Sequence, residues 1–372
     1  MRIPLSSPDI NEQDIEAVTA VLRTPQLSLG PKLVEFERSI AGYLGASDAV
    51  AVSSGTSALH LCIRALGISD GDEVIVPSFA FVAVANAVRY ERAIPVFVDV
   101  DSATLNLDPE RLEAAITNRT KAIILVHTFG VPAEIDRILE VSKRHGLAVI
   151  EDACEAIGAE YCGRKVGTFG DVATFAFYPN KQITTGEGGA VVTNDVQIAS
   201  RVRSLRNQGI GAPGNWLAYT EVGYNYRLSE INCALGISQL ERLDPILERR
   251  ESVARHYDSR LSSVPQLRRP ALVLPNRKIS WFVYVVRLGE SFSEIHRDWI
   301  YEEMKGLGIA LGRYFGPIHL QPAYSNQSEH KPILAVTEFE AQRSLALPFF
   351  NQIRGEQVDE VSESLSQLCN AL

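Results

Sequence analysis

The feature that most constrains this chain is an alternation of short apolar runs with amphipathic stretches, from about residue 45 to residue 200. The seven runs are AVAVSS (49–54), EVIVPS (73–78), PVFVDV (95–100), AIILVHT (122–128), LAVIEDA (147–153), ATFAFY (173–178) and GAVVT (189–193). Unbroken apolar runs of this length are typical of strands buried on both faces. Helical patterns lie between them, as in TSALHLCIRALG (56–67) and AEIDRILEVSKRHG (133–146). The alternation predicts an α/β fold with a mainly parallel, doubly wound sheet.

The regions on either side of this alternation have other patterns. Residues 11–44 hold two helical patterns, and a long helical pattern from 229 to about 250 could bridge two domains. Beyond it come one strong strand and three helix-like segments: SWFVYVVRL (280–288), then 297–307, 337–346 and 355–369. We therefore predict a large domain over residues 1–245 with an N-terminal helical arm, and a smaller C-terminal α+β domain over residues 246–372.

Composition excludes several classes of protein. The 372 residues are 46% hydrophobic with a formal net charge of −9, which argues against a disordered chain and against binding to a nucleic-acid backbone. No apolar run reaches the roughly 18 residues of a membrane-spanning helix. The start of the chain shows no secretory signal, and the five scattered cysteines form no CxxC pair. We expect a cytoplasmic protein with free thiols and without nucleic-acid or membrane partners.

Three motifs bring chemistry-bearing residues to the ends of predicted strands. In SSGTSALHL (53–61), Gly55 and Thr56 would begin a helix, where free N–H groups bind anions. In VIEDACEAIGAEY (149–161), Asp152 ends a buried strand, at the edge where open α/β sheets bind ligands. In TFAFYPNKQITTGEGGAVVT (174–193), Lys181 lies between apolar flanks. Taken singly, the first two could be ordinary helix caps and the third a solvated surface lysine.

Together the three motifs supply what pyridoxal phosphate requires. The helix start would hold the phosphate, Asp152 would protonate the pyridine nitrogen, and a partly buried Lys181 would form a Schiff base. Phe79 and Phe81 are available to stack on the ring, although core packing is expected for at least one of them. The spacing of His, Cys and carboxylates indicates no metal site, and Cys154 is interpreted as a small buried residue.

Over nearly its whole length the sequence resembles the pyridoxal-phosphate-dependent sugar aminotransferases of the DegT/StrS family, which have the aspartate-aminotransferase fold (fold type I). The segments that carry the resemblance are SLGPKLVEFE (28–37), SSGTSALHL, EVIVPSFAFVAVANAV, EDACEAIGAEY, FYPNKQITTGEGGAVVTND, VGYNYRLSEINCALGISQLERL (222–243), SWFVYVVRL and YFGPIHLQPAY (314–324). The resemblance implies a ping-pong Schiff-base aminotransferase. It would move an amino group from L-glutamate to a nucleotide-linked deoxysugar, as a 3- or 4-keto-6-deoxy sugar.

The resemblance also implies roles for individual residues. The cofactor contacts it implies are Lys181 as the Schiff-base lysine, Asp152 at the pyridine nitrogen, Gly55 and Thr56 at the phosphate, Phe81 stacked on the ring and Glu155 beside it. Asn225 matches an asparagine that reaches the phosphate of the partner subunit, which implies a homodimer with two shared active sites. The implied substrate contacts are Arg227, Arg313 and His319.

The chain departs from the family pattern at three places. Ala176 stands five residues before the lysine, where many members have a serine that donates to the phosphate. Glu155 replaces the Gln or His that many members carry beside the ring. GRYFGPIH (312–319) has Gly312 and Arg313 in place of the commoner Arg then Pro.

Four other functions compete with this interpretation. A cofactor-dependent sugar dehydratase on the same fold typically has His in place of the lysine, so Lys181 argues against it. A cyclitol or carbocyclic keto acceptor stays open. A regulatory or structural relative that binds cofactor without turnover has little need of both Lys181 and Asp152. A nicotinamide oxidoreductase would need a GxGxxG motif after the first strand, and the sequence has none there.

Overall fold

The computed structural model describes residues 1–211, 218–325 and 332–372. Its strands are β1 (Asp48–Val52), β2 (Glu73–Pro77), β3 (Ile94–Val98), β4 (Thr120–Val126), β5 (Ala148–Asp152), β6 (Glu160–Tyr161), β7 (Arg164–Lys165), β8 (Val172–Ala176), β9 (Gly189–Thr193), β10 (Leu267–Arg268), β11 (Arg277–Lys278), β12 (Tyr284–Leu288) and β13 (Ser344–Leu347). Its helices are α1 (Glu12–Leu22), α2 (Pro31–Leu44), α3 (Gly55–Ala65), α4 (Ala83–Tyr90), α5 (Leu112–Ala115), α6 (Ile135–His145), α7 (Val196–Arg206), α8 (Glu230–Glu241), α9 (Leu243–Leu261), α10 (Glu294–Gly306), α11 (Pro322–Ser325), α12 (Ala335–Ala341) and α13 (Gly355–Ala371). None of the helices in these ranges combines the length and the apolar character needed to cross a bilayer.

Seven strands form the central sheet in the order β1-β9-β8-β5-β4-β2-β3. The strands β3, β2, β4, β5 and β8 are parallel to one another, whereas β9 is antiparallel to both of its neighbours, β8 and β1. The direction of β9 is reversed because the chain returns from β8 through a loop, residues 177–188, rather than through a crossover helix. All seven apolar runs therefore form one mainly parallel sheet, which confirms the predicted fold class.

Apolar clusters cover both faces of this sheet. Along β1, Val50 and Val52 join the cluster beneath α3, α4 and α7, whereas Ala49 and Ala51 join the cluster beneath α2 and α8. This two-residue period is the alternation of side chains in any strand. Because helices cover both faces, the strands need no polar face, which explains why their sequences are unbroken apolar runs.

The C-terminal part of the chain has an apolar cluster of its own. The antiparallel sheet β10-β12-β13 packs with α9, α10 and α13 around buried side chains such as Tyr257, Tyr284 and Leu365. Ile3 belongs to this cluster and pairs with Ile309, so the first residues of the chain pack against its C-terminal part. The domain boundary after residue 245 stays a prediction.

Three segments after residue 228 differ from their predicted form. The pattern over 229–250 divides into α8 and α9, because Pro245 has no N–H to donate to the carbonyl of Glu241. The predicted strand over 280–288 begins only at Tyr284, since the preceding carbonyls are held by a buried arginine described below. The predicted helix over 337–346 ends at Ala341, and the chain continues into β13, which pairs with β12.

Candidate active site

The carboxyl edge of the central sheet opens into a cavity of about 390 Å³. The strands β1, β5 and β8 end at this edge, and β9 begins there. Six of the seven residues that the sequence assigned to the cofactor line this cavity: Gly55, Thr56, Phe81, Asp152, Glu155 and Lys181. The fold therefore brings three separate motifs to one place, at the edge where open α/β sheets bind ligands.

The first turn of α3 leaves backbone donors free at this cavity. Ser54 caps the helix by accepting a hydrogen bond from the N–H of Ser57 at 3.0 Å. Within the described part of the chain, the N–H groups of Gly55 and Thr56 donate to no partner. A Cβ on Gly55 would lie 2.7 Å from the Cβ of Ala176, so only glycine allows this close approach. The free donors and the helix dipole together make an anion-binding turn.

Asp152 lies in the cavity because it is the last residue of β5. It is 7% exposed, and its Oδ1 accepts the N–H of Cys154 at 3.0 Å and the hydroxyl of Thr174 at 3.5 Å. Burial raises the pKa of the Cys154 thiol, and the charge of Asp152 adds to that rise. The geometry thus presents a fixed carboxylate beside an unreactive thiol.

Lys181 lies in the loop between β8 and β9, and its side chain is only 14% exposed. Its Nζ lies 3.3 Å from Oε1 of Glu155 and 4.0 Å from the ring centroid of Phe282. The other oxygen of Glu155 accepts the N–H of Phe129 at 2.9 Å. Burial raises the pKa of Glu155, although the positive charge of Lys181 opposes that rise. Lys181 is therefore a pocket residue and not a solvated surface lysine.

The two aromatic candidates have different environments. Phe79 is fully buried and packs edge to face against Phe129 and Phe315. Phe81 is 61% exposed and lines the cavity. Phe79 is thus a core residue, and Phe81 is the one of the pair whose ring is available to a ligand.

Asn225 and Arg227 lie outside the cavity lining. Asn225 is exposed, and its backbone forms a bridge with Asn207. Arg227 donates to the side-chain oxygen of Asn207 at 2.8 Å. The structure of one chain therefore does not bring these two side chains to the cavity of that chain.

Arg313 and His319 are also outside the cavity lining. The guanidinium of Arg313 lies over the ring of Tyr301, 4.1 Å from its centroid, and the side chain is 40% exposed. His319 is buried, with Nδ1 2.6 Å from the hydroxyl of Ser78 and Nε2 3.2 Å from a carboxylate oxygen of Glu338. The roles of both residues stay predictions.

An aromatic wall that the sequence motifs did not predict lines the cavity. It is formed by Phe282, Tyr314 and Phe315 from the C-terminal part of the chain. Phe282 and Tyr314 lie nearly parallel, as do Tyr314 and Phe315. Both segments belong to the family resemblance, which was the one available signal. The apolar pattern at 280–288 did not indicate a cavity-lining residue, because the same pattern is typical of an ordinary buried strand.

The fold and the residues at the cavity indicate one class of protein, and comparison with known families identifies it. The model of the DegT/DnrJ/EryC1/StrS aminotransferase family matches residues 8–366. The chain belongs to this family. It is a pyridoxal-phosphate-dependent aminotransferase of fold type I, as the resemblance implied.

Individual relatives are similar along their whole lengths. GDP-perosamine synthase from Caulobacter vibrioides is 42% identical over 369 residues, which cover 99% of this chain and 98% of the relative. PseC from Helicobacter pylori, an aminotransferase involved in the biosynthesis of pseudoaminic acid, superposes with a TM-score of 0.95 at 30% identity and full coverage of both chains. Spr1654 from Streptococcus pneumoniae, solved in a PLP form, gives a TM-score of 0.95 at 28% identity, covering 100% of this chain and 99% of that one.

Proposed function

We propose that this protein transfers an amino group from L-glutamate to the keto group of a nucleotide-linked deoxysugar. The observation that carries the proposal is the meeting of the α3 start, Asp152 and Lys181 at one cavity of about 390 Å³. The 42% identity to GDP-perosamine synthase supports a nucleotide-linked acceptor and makes GDP-linked sugars the first class to test. Both 3-keto and 4-keto-6-deoxy sugars are within the proposal.

The residues present fit pyridoxal phosphate. The free N–H groups of Gly55 and Thr56 would bind the phosphate, and the buried carboxylate of Asp152 would hold a protonated ring nitrogen. The exposed face of Phe81 would stack on the ring, and Lys181 would bond to the aldehyde. Bound there, the cofactor supplies an electron sink for negative charge at the substrate carbon.

Lys181 has a second task, which is to move a proton at the substrate carbon. Its side chain is 14% exposed and lines the cavity, so the amine is within reach of a substrate bound there. Glu155, at 3.3 Å, offers a nearby site for the proton that the amine gives up or takes back. The raised pKa of Glu155, caused by burial, makes that carboxylate easier to protonate than an exposed one.

Lys181→Ala tests the proposal directly. The variant should lose the visible absorbance of lysine-bound cofactor and should lose turnover, because Lys181 is the only lysine among the described residues that line the cavity. Lys278→Ala, at a side chain 59% exposed, is the matched control and should keep both. Normal turnover in Lys181→Ala would contradict the assignment of Lys181 as the lysine that bonds to the cofactor.

A panel of acceptors tests the substrate class. The protein would be incubated with L-glutamate and with GDP-, UDP- and dTDP-linked 3-keto and 4-keto sugars, beside cyclitol and carbocyclic ketones. Mass spectrometry would detect which acceptor exchanges its keto oxygen for an amino group. Amination of a cyclitol alone would contradict the nucleotide-sugar proposal and leave the aminotransferase assignment intact.

We also propose a cytoplasmic homodimer with shared active sites. The exposed Asn225 lies outside its own cavity, which supports a role toward the phosphate site of a second copy. The five free cysteines suit a reducing compartment.

Arg227 and Arg313 are proposed substrate contacts through their partly exposed side chains. His319 is 3% exposed, so it would act on the substrate indirectly, through its contacts with Ser78 and Glu338.

A further inference from the structure

The amine of Lys181 has two neighbours of different chemistry. Glu155 lies 3.3 Å away, and the ring of Phe282 lies with its centroid 4.0 Å away. Among the aromatic residues in the described ranges, Phe282 is the one whose ring lies over this amine. The face of an aromatic ring attracts an ammonium group, and the attraction is stronger where water is excluded. Phe282 is only 4% exposed, so the contact is a buried one.

The position of Phe282 depends on a buried arginine of α9. Arg250 is 3% exposed, and its Nε donates to the carbonyl of Trp281 at 2.6 Å. Its Nη2 donates to the carbonyl of Phe282 at 2.7 Å, and its Nη1 donates to the side-chain oxygen of Asn351 at 3.3 Å. All three acceptors are uncharged, and two of them are the backbone carbonyls of Trp281 and Phe282, so the guanidinium fixes this stretch of backbone. This explains why β12 starts only at Tyr284.

The other end of the same segment is tied to the lysine loop. Gln182, the neighbour of Lys181, donates through Nε2 to the backbone oxygen of Ser280 at 3.1 Å and to its hydroxyl at 3.0 Å. The N–H of Ser280 donates to the carbonyl of Gly130 at 3.0 Å. A Cβ on Gly130 would lie 1.7 Å from the oxygen of Ser280, so this approach requires glycine. Residues 280–282 are thus clamped between α9 and the loop that carries the lysine.

We propose that Phe282 is a further active-site residue, whose ring holds Lys181 in its ammonium form after that lysine has taken up a proton and while it is not bonded to the cofactor. Arg250 is the positioning residue that keeps the ring in place. The inference rests on the proposed role of Lys181, because only a lysine that leaves the cofactor during turnover needs a position that binds its free ammonium group. Held between Phe282 and Glu155, the ammonium stays at the wall of the cavity.

Amine labelling tests this proposal without measuring turnover. The protein would be loaded with pyridoxamine phosphate, which leaves the lysine free, and treated with acetic anhydride. Mass spectrometry would follow acetylation of Lys181. Because ammonium does not react, loss of its ring partner in Phe282→Leu should raise the labelling rate about two- to thirtyfold. Phe282→Tyr keeps the ring face and should label at the wild-type rate.

Phe315→Leu is the matched control for access. It removes an aromatic ring from the same cavity without removing the ring over Lys181. Equal rates in Phe282→Leu and wild type, or an equal rise in Phe315→Leu, would overturn the proposal. A wild-type protein without lysine-dependent absorbance would instead contradict the proposed function, before any Phe282 variant is compared.

The positioning role of Arg250 is tested by non-additivity. Arg250→Met should raise labelling as Phe282→Leu does, and the double variant should show no further rise, because both changes remove the same contact. Arg250→Lys retains a donor and should give a smaller rise. Arg249→Met, at an exposed neighbour on the same helix, should change nothing. An additive double variant would overturn the role of Arg250, and the Phe282 variants test the ring itself even if Arg250→Met fails to fold.

Discussion

At the residue scale, two adjacent carboxylates of β5 have separate surroundings. Asp152 lies in the cavity, whereas Glu151 points to the opposite side of the strand and is fully buried. Glu151 accepts a hydrogen bond from Nε2 of His127 at 3.1 Å and from three backbone N–H groups of the loop after β7, those of Gly167, Phe169 and Gly170. Glu151 therefore holds this loop in place, whereas the carboxylate of Asp152 lies at the cavity.

Glu151→Gln should destabilise the fold by about 2–4 kcal/mol at pH 7, because an amide cannot accept all the hydrogen bonds that the carboxylate accepts. Burial alone would raise the pKa of Glu151, but the hydrogen bonds from His127 and the loop hold it below its usual value. Its stabilisation is therefore present above the unfolded pKa of about 4.3 and is lost as the pH falls through the lower folded pKa.

Denaturant unfolding of wild type and Glu151→Gln at several pH values measures this effect. The difference in unfolding free energy should be largest near neutrality and should narrow in acid below the unfolded pKa. Glu113→Gln, at a side chain 46% exposed, is the control and should show a small difference. A gap for Glu151→Gln that widens on acidification would contradict the assignment of the charged form.

At the scale of elements, α2 receives its N-terminal cap from a distant helix. Its own N-cap residue, Gly30, has no side chain to offer. Instead the carboxylate of Glu230, in the first turn of α8, accepts the N–H groups of Gly30, Lys32 and Leu33 at 2.8–3.0 Å. A Cβ on Gly30 would lie 2.6 Å from that carboxylate, so the glycine is needed for the approach.

Glu230→Ala should lower the free energy of unfolding by about 2–4 kcal/mol, because it leaves buried N–H groups of α2 without an acceptor. Thermal or denaturant unfolding would measure the loss. Glu241→Ala, at an exposed position on α8, is the control. Equal stability of the two variants would mean that water replaces the carboxylate at no cost.

At the scale of the whole molecule, the proposed shared active sites make a prediction about mixed dimers. Lys181→Ala removes the lysine from one site, and Asn225→Ala would impair the phosphate site of the opposite copy. In a mixed dimer of the two variants both lesions fall in one site, and the other site is intact. Co-refolding equal amounts of the two should therefore restore about a quarter of wild-type turnover per protein.

Turnover of the separate and mixed variants, measured with the aminated acceptor as readout, checks this. A mixture of Lys181→Ala with Lys181→Ala,Asn225→Ala is the control and should stay inactive. If Asn225 acts only within its own chain, one subunit of each mixed dimer carries Lys181 without a functional Asn225, and no activity returns. That result would contradict shared sites while leaving the roles of Lys181 and Asp152 untouched.

The sequence predicted most of the fold and part of the site, for a physical reason in each case. The seven strands were predictable because burial on both faces demands unbroken apolar runs. Gly55, Asp152 and Lys181 were identifiable because each belongs to a local motif at a strand end. Phe282 was missed because its position depends on Arg250, which lies 32 residues away along the chain.

The sequence by itself determined the α/β class, the identity of the cofactor and the three motifs that would hold it, because local periodicity and short motifs encode these. The tertiary structure alone decided that Phe79 is core while Phe81 faces the cavity, and that β9 is antiparallel to both of its neighbours. It also decided that a C-terminal aromatic ring lies over the lysine. These outcomes depend on contacts between residues far apart in the chain, which packing fixes and local sequence does not.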